Sequence, residues 1–113
     1  MKLPASDQVV IEVAKLRDYL LSFAHPVGRF KAAFFAAHGY TADNWRQLEA
    51  DLRRLVEAQD VTKGQSSRYG QKYEVRGTIK APNGKSVEVV TVWIIRRGEH
   101  VPRFVTAHPG EKP

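Results

Sequence analysis

The spacing of apolar residues changes once along this chain of 113 residues, near position 65. Before that point apolar side chains recur at the three- and four-residue intervals of amphipathic helices, and after it they alternate with polar ones as in β-strands. Because the helical segments precede the strands instead of alternating with them, the order indicates an α+β fold. We predict about three N-terminal helices packed on a small antiparallel sheet, a meander of three to four strands.

Three helices are predicted within the segment 10–60, and the residues at their ends indicate where they begin or stop. The first covers about 12–23. Pro26 suits the first position of the second helix and Gly39 its C-terminal cap, while Thr41 suits the N-cap of the third. We expect each helix to bury one apolar stripe: Val13, Leu16, Tyr19, Leu20 and Phe23 in the first, Val27, Phe30, Phe34 and Ala37 in the second, and Trp45, Leu48, Leu52, Leu55 and Val56 in the third.

The meander is predicted over about 70–109, after a polar loop rich in Gly and Ser at 62–70. Asn83 and Gly84 suit the two positive-φ positions of a type I′ hairpin turn. The strand that follows, Ser86–Arg96, is apolar on both faces. It is therefore expected at the centre of the sheet, with helices covering one of its faces.

Composition excludes several classes of protein. With 42% hydrophobic residues, the chain is long enough for one domain, residues 1–113, and too short for two. It contains no cysteine, so disulfides, thiolate metal sites and a cysteine nucleophile are excluded. There is neither a secretory signal nor a run near the roughly 20 apolar residues of a membrane span, so we expect a cytoplasmic protein without membrane association. No motif predicts a metal site or a cofactor.

Positive charge is concentrated in the second half of the chain. Residues 1–60 contain eight Lys and Arg against eight Asp and Glu, whereas residues 61–113 contain ten against four, so the net charge of +6 lies in the predicted sheet. A basic surface of this kind favours an anionic polymer as ligand, and RNA is the first candidate. Basic and aromatic residues of this half are predicted to bind nucleic acid: Arg68, Tyr69, Lys72, Arg76 and Arg96.

A first candidate site is the segment from His25 to Lys31. If Pro26 opens a helix, His25 lies at its N-cap, where the helix dipole favours a neutral imidazole that can act as a base. Gly28 leaves the amides of the first turn accessible to an anion such as phosphate, and Arg29 would reinforce that site. In the alternative interpretation, His25 is only a cap, Gly28 allows close packing, and the basic side chains are solvated.

A second candidate site is the last predicted strand, residues 103–108. Alternation places Phe104, Thr106 and His108 on one face and Arg103 on the other. Thr106 and His108 could then share a pocket. The alternative is that Thr106 is an ordinary strand residue and His108 is simply exposed.

Together the two segments contain the groups that cleave RNA without a metal ion. The reaction needs a base for the 2′-hydroxyl, an acid for the leaving 5′-oxygen, and cations that stabilise the charged phosphorane. The residues predicted to be catalytic are His25, Arg29, Lys31, Arg103, Thr106 and His108.

Separated blocks of the sequence, taken in order, resemble a family of small bacterial proteins of unassigned function. They cover nearly the whole chain: Met1-Lys2-Leu3-Pro4, Val13-Ala14-Lys15-Leu16-Arg17-Asp18-Tyr19-Leu20, His25-Pro26-Val27-Gly28-Arg29-Phe30-Lys31-Ala32, Tyr69-Gly70-Gln71-Lys72-Tyr73, Pro82-Asn83-Gly84, Thr91-Val92-Trp93-Ile94-Ile95 and Pro102-Arg103-Phe104-Val105-Thr106.

The order of helices and strands also resembles the broad group of barnase, EndoU, colicin and RelE-type ribonucleases. This architectural resemblance implies a metal-independent endoribonuclease, the toxin of a bacterial toxin–antitoxin pair, neutralised by an acidic antitoxin-like protein encoded nearby. It implies His25 as general base or acid, with Thr106 orienting the phosphate. Arg29, Lys31 and Arg103 would then contact that phosphate. The chain departs from EndoU-type proteins because no second histidine accompanies His25 in its block.

Two other functions agree with the same residues. A non-catalytic module would bind nucleic acid or protein through the basic sheet, and His25 would then be only a cap. Such a module would show salt-sensitive RNA binding without cleavage. A structural subunit would instead dock an acidic protein and show no affinity for RNA at moderate salt.

Overall fold

Helices come first along the chain and a four-stranded antiparallel sheet follows them, which is the predicted α+β order. The computed structural model describes residues 1–110, so the last three residues of the predicted domain lie outside the described part. Within residues 1–110, no helix combines the length and the apolar character needed to cross a bilayer.

The described residues form three helices and four strands. Helix α1 is Val13–Lys15 and continues directly into a π-helical turn, Leu16–Leu20; α2 is Arg29–Ala36 and α3 is Trp45–Ala58. Short 3₁₀ turns lie at Ser6–Gln8 and Ala42–Asn44. The strands are β1 Val61–Ser67, β2 Gly70–Lys80, β3 Ser86–Arg96 and β4 Arg103–Pro109. They pair in the order β1-β2-β3-β4, the predicted meander.

Helix α3 is the amphipathic helix that the sequence predicts. The backbone N–H of Thr41 donates a hydrogen bond of 2.7 Å to Oδ1 of Asn44, which fixes the turn before the helix. Arg53 forms the expected i, i+4 ion pair with Glu49 at 2.9 Å. Four of its apolar residues are buried in the core, as predicted: Leu48, Leu52, Leu55 and Val56.

The apolar stripe predicted for the second helix is wrong. Helix α2 begins at Arg29 and not at Pro26. Two residues expected in its buried stripe are exposed, Val27 by 59% and Phe30 by 70%. Phe23, expected at the buried end of the first helix, is also exposed by 62%.

A close contact at Gly28 explains why α2 buries a different face from the predicted one. A Cβ atom on Gly28 would lie 1.9 Å from the carbonyl oxygen of Tyr19, so only glycine allows the two backbones to approach this closely. The side of the helix that follows Gly28 at four- and seven-residue spacing therefore faces inward. Its residues Ala32 and Phe35 are the buried ones.

Residues 61–67 form a strand where the sequence predicts a loop from 62 to 70, so that boundary is corrected. β1 pairs with β2 from Val61 opposite Val75 to Ser67 opposite Gly70. The strand lies at the edge of the sheet and exposes every residue after the first. Because these side chains are exposed, a polar, Gly- and Ser-rich sequence is tolerated there, and the strand is defined by its backbone pairing.

The hairpin predicted at Asn83-Gly84 is present, but its turn is not type I′. Of these two residues only Gly84 has a positive φ, +84°. The N–H of Gly84 donates to the carbonyl of Ala81, and the N–H of Ala81 donates to the carbonyl of Lys85, both at 2.9 Å. This is the pattern of a three-residue hairpin loop in which a left-handed residue follows an ordinary turn, and Pro82 supplies the fixed φ that such a turn requires.

β3 is one of the two interior strands, in agreement with its predicted central position, and it pairs with β4 through a bulge. Val105 is the extra residue, between Phe104, which lies opposite Trp93, and Thr106. The bulge reverses the alternation, so Phe104 packs in the core against Trp93 with ring centroids 5.3 Å apart. Thr106 and His108 lie on the other, outer face. The prediction that Phe104 shares their face is therefore wrong.

The segment before α1 runs along the free edge of β4. The N–H of Val10 donates to the carbonyl of Pro102, and the N–H of Phe104 donates to the carbonyl of Val10, both at 2.9 Å. This short parallel contact brings α1 and the turn that follows it beside the second half of β4.

Candidate active site

Three polar side chains from distant parts of the chain meet beside β4. Nζ of Lys31 donates hydrogen bonds to Oη of Tyr19 (2.9 Å) and to Oγ1 of Thr106 (2.8 Å). The two hydroxyl oxygens are 3.4 Å apart, and all three side chains are partly buried. We call Tyr19, Lys31 and Thr106 the hydroxyl–lysine cluster. An ammonium group held between two hydroxyls can bind an oxyanion such as phosphate.

A different local feature positions each member of the cluster. The π-helical turn buries Leu16 and Leu20 and leaves Tyr19 at the rim of the core; such turns are frequent at functional sites. The contact of Gly28 with the backbone of Tyr19 fixes the distance from this turn to α2, where Lys31 lies. The bulge in β4 turns Thr106 to the outer face.

The pKa of Tyr19 is lowered from the ordinary tyrosine value of about 10. Partial burial by itself acts to raise this pKa, but the hydrogen bonds from Lys31 and Thr106, with the positive charges of Lys31 and Lys15, outweigh it. Tyr19 is therefore a better proton donor than an ordinary phenol.

His25 lies next to the cluster, and its ring caps the turn before α2. Nδ1 accepts hydrogen bonds from the N–H groups of Val27 and Gly28, both at 3.0 Å, and the ring meets that of Tyr19 edge-on with centroids 4.9 Å apart. A nitrogen that accepts two N–H bonds carries no proton, so the neutral ring has its hydrogen on Nε2. The capping role is thus present, and the catalytic role of His25 stays a prediction.

An open cleft on the outer face of the sheet adjoins the cluster through Thr106. His108 follows Thr106 by two residues on the same face. Nδ1 of His108 is 3.2 Å from the carbonyl oxygen of Pro109, which can only accept, so Nε2 of the neutral ring has the free lone pair. The cleft has a volume of ≈ 460 Å³ and is lined, among the described residues, by Gly64, Gln65, Lys72, Glu74, Val92, Val105, Thr106 and His108.

A larger cleft, ≈ 640 Å³, lies between α3 and the β2–β3 hairpin and contains none of the predicted catalytic residues. Its polar centre is Asp51, which is only 4% exposed. Asp51 accepts hydrogen bonds from Oη of Tyr40 (2.5 Å) and from Nε2 of Gln47 (3.2 and 3.3 Å), and it is paired with Arg54. Because these donors satisfy the carboxylate, we interpret this network as structural.

Arg29 and Arg103, the two predicted catalytic arginines, belong neither to the cluster nor to the lining of the outer cleft. Arg29 is exposed, and its guanidinium stacks over the ring of Phe30, 4.8 Å from the centroid. Arg103 is paired with Glu99 (3.0 Å) and Glu12 (3.9 Å), so a phosphate would have to compete with two carboxylates for it. Phosphate binding by either residue stays a prediction.

The residues predicted to bind nucleic acid divide into separate groups. Lys72 lines the outer cleft beside the cluster. Arg76 is paired with Glu88 at 3.4 Å. The end of the sheet at the β1–β2 turn carries the other three, all exposed: Arg68, Tyr69 and Arg96.

Tyr19 is the functional candidate that sequence reasoning missed, because its position fits the buried stripe of the first helix. The available signal is its hydroxyl, the one polar group in a stripe of Val, Leu and Phe. Within residues 1–110, no three His, Asp or Glu side chains converge in a group that could hold a metal ion.

A family model covers almost the whole chain. Residues 2–111 match a domain of unknown function, DUF6883. The chain belongs to the DUF6883 family. The predicted resemblance to a family of unassigned function is therefore confirmed at that level. No curated protein matches this DUF6883 chain significantly.

A solved structure shares the fold of the DUF6883 chain. The similar chain belongs to a contact-dependent growth inhibition toxin–immunity protein complex from Klebsiella pneumoniae 342. The TM-score is 0.67 at 17% sequence identity, and the match covers 89% of this chain and 99% of that chain. The two chains therefore share an α+β fold.

Proposed function

We propose that this protein is a metal-independent endoribonuclease whose active site combines the hydroxyl–lysine cluster with the adjoining outer cleft. The observation that carries the proposal is the position of Lys31, which donates to the hydroxyls of both Tyr19 and Thr106 beside a cleft in the basic half of the chain. The shared fold with a chain of a toxin–immunity protein complex supports a toxin-like role.

The proposed reaction is transesterification of a phosphodiester. The 2′-oxygen attacks phosphorus, and the new 2′-O–P bond forms as the bond to the 5′-oxygen breaks, giving a 2′,3′-cyclic phosphate and a 5′-hydroxyl. One proton passes from the 2′-hydroxyl to a base, and another passes from an acid to the leaving oxygen. A fixed cation stabilises the charge that develops on the phosphorane.

We assign each step to a group whose geometry suits it. Lys31 binds a non-bridging phosphate oxygen, and Thr106 orients it. Tyr19 donates a proton to the leaving oxygen, since its lowered pKa lies closer to neutral pH than that of an ordinary phenol. His108 accepts the 2′-hydroxyl proton at Nε2, about two strand residues, or roughly 7 Å, from Thr106.

His25 supports this site in the capped state. Its Nδ1 bonds hold the turn that contains Gly28, and its ring packs against that of Tyr19. In this state Nε2 carries the hydrogen and cannot act as a base. Arg29 and Arg103 are proposed to contact the phosphates that flank the scissile one.

Cleavage of RNA in the presence of a chelator tests the proposal. The wild-type protein should yield products that end in a 2′,3′-cyclic phosphate, and RNA with a single 2′-deoxy nucleotide at the cut position should resist. Lys31→Met should reduce cleavage by about 100-fold or more, whereas Lys85→Met, which removes the same charge from the exposed β2–β3 loop, should cleave like the wild type. Equal cleavage by both variants, or none by the wild type, would contradict the proposal.

A second function, binding of an acidic partner protein, is favoured by the exposed apolar residues near Lys31. Phe23, Val27 and Phe30 are each more than half exposed, and Arg29 lies among them. Large apolar side chains beside positive charge are typical of a protein interface. An acidic antitoxin-like protein that covered this surface would close the approach to Lys31.

Growth of cells that express the protein tests the partner. Expression should be toxic, and co-expression of an acidic protein encoded nearby should restore growth. Phe30→Asp should remain toxic in the presence of that partner, because the new charge repels an acidic surface. The control variant Ser86→Asp, which adds the same charge at the exposed start of β3, should be toxic alone and should still be neutralised. Neutralisation of both variants alike would place the partner elsewhere.

A further inference from the structure

We propose that single-stranded RNA follows a path across the outer face of the sheet, from Thr106 in the cluster to Tyr69 at the β1–β2 turn. The inference rests on the proposed ribonuclease function, because the cluster supplies the point at which the strand is cut. Binding along the path is nevertheless measurable without cleavage, so the two proposals can fail separately.

The pairing registers set the length of this path. Thr106 lies opposite Val92 of β3, and Arg96 lies four residues further along the same strand. At about 3.3 Å per residue, these positions are about 13 Å apart along the strand. Alternate residues of a strand share a face, so Arg96 faces the same side as Val92, which lines the cleft. Lys72 lies opposite Ile94, half-way between the two ends.

The far end of the path carries an exposed aromatic ring among cations. Tyr69 is 64% exposed. The guanidinium of Arg68 lies over one face of its ring, 5.0 Å from the centroid, and donates to its hydroxyl at 2.9 Å. Arg96 lies opposite Gly70, the residue after Tyr69. A nucleobase would stack on the other face of the tyrosine ring, with its phosphates between the two arginines.

A single strand suits this surface better than a duplex. The bases of a duplex are stacked on one another, whereas those of a single strand are free to stack on Tyr69. Glu74 is the acidic residue among the described ones that line the cleft, and it lies opposite Val92 on β2, two strands from Thr106. Its charge repels phosphates and confines the backbone to the side where Lys72 and Arg96 lie.

The test is fluorescence anisotropy with 2′-O-methyl RNA, which lacks the attacking hydroxyl and stays intact. A dinucleotide reaches only the cluster, while an octanucleotide also reaches Tyr69. We expect Tyr69→Ala to weaken octanucleotide binding about tenfold and to leave dinucleotide binding unchanged, since stacking of one base is worth roughly 1–3 kcal/mol. Arg96→Gln should behave in the same way. Lys85→Gln, at the opposite end of β2, is the control and should bind both lengths like the wild type.

The other outcomes show whether the RNA path, the proposed cleavage or both are wrong. If Tyr69→Ala weakens both lengths equally, or neither, the path is wrong. If a duplex of the same sequence binds as tightly and loses as much affinity in Tyr69→Ala, the ligand is not single-stranded and the proposal is overturned. If octanucleotide binding follows the expected pattern but unmodified RNA is not cut, the path stands and the proposed cleavage fails.

Discussion

Lys31 of α2 donates a hydrogen bond of 2.8 Å to Thr106 of β4, across 75 residues of sequence. This bond joins the two segments that sequence reasoning had proposed separately, one before the second helix and one in the last strand. Tyr19 completes the contact by accepting a second bond from the same ammonium group. The candidate site therefore lies at the junction of the helical half and the sheet.

Lys31→Met should reduce RNA cleavage about 100- to 1000-fold, the usual effect of removing one donor from a preorganised oxyanion site. The methionine keeps the length of the side chain but cannot donate. Circular dichroism and thermal unfolding should match the wild type, which separates loss of chemistry from loss of fold. A variant that is folded and fully active would remove Lys31 from the mechanism.

Tyr19 should ionise at a lower pH than an ordinary tyrosine, and Lys31→Met should raise its pKa, because the hydrogen bond and charge that lower it are lost. An ultraviolet difference titration, with Tyr19→Phe to identify the signal, measures this. Between the folded pKa and about 10, the unfolded state binds more protons. The stability that Tyr19 contributes is therefore present above pH 10 and lost as the pH falls through its folded pKa.

Tyr40→Phe should destabilise the protein by about 1.5–3 kcal/mol, because it removes a buried hydrogen bond to the carboxylate of Asp51. Burial, together with this hydrogen bond and the charge of Asp51, raises the pKa of Tyr40 well above its ordinary value. The stability it contributes is full below pH 10 and is lost as the pH rises toward its folded pKa. Urea unfolding at several alkaline pH values should show a flatter decline for Tyr40→Phe; parallel declines would contradict this.

Gly28→Ala should destabilise the protein by about 1–3 kcal/mol, the cost of overpacking, although the residue has helical dihedral angles at which alanine is normally favoured. The cause is the clash of the new Cβ with the carbonyl oxygen of Tyr19. Ala33→Gly, exposed in the same helix, is the comparison and should cost only about 1 kcal/mol. If Gly28→Ala is instead more stable in denaturant unfolding, the close contact is not real.

His25→Asn should retain most of the activity, while His25→Ala should lose part of it and about 1 kcal/mol of stability. The amide oxygen of asparagine can accept hydrogen bonds from the two N–H groups that now donate to Nδ1 of His25, but the amide cannot transfer a proton. Cleavage rates and unfolding curves of the two variants distinguish the roles. Equal and complete inactivation of both, with stability unchanged, would assign His25 to the chemistry.

The pattern of apolar residues predicts the order of elements, the bounds of β3 and the buried face of α3, because each depends on local periodicity. It fails where tertiary contact overrides periodicity. The rotation of α2 depends on a glycine touching a carbonyl nine residues earlier, and β1 is defined only by pairing with β2.

The sequence predicts only part of the candidate site, because its three members come together through tertiary contacts. Lys31 and Thr106 were proposed from their residue types, but their contact depends on the fold. Tyr19 looked like a core residue because its spacing is that of one, and a hydroxyl at the end of an aromatic ring reaches the rim of the core without changing that spacing.

The extra residue in β4, Val105, gives the two halves of that strand different roles. Phe104, before the bulge, belongs to the hydrophobic core, and Thr106, after it, belongs to the hydroxyl–lysine cluster. Substitutions on the outer face can therefore alter what the site accepts without disturbing the packing of Trp93. If Val105 were paired instead of bulged, simple alternation would place Phe104 and Thr106 on the same face, so this one unpaired residue keeps the capacity for new specificity apart from the requirement to fold.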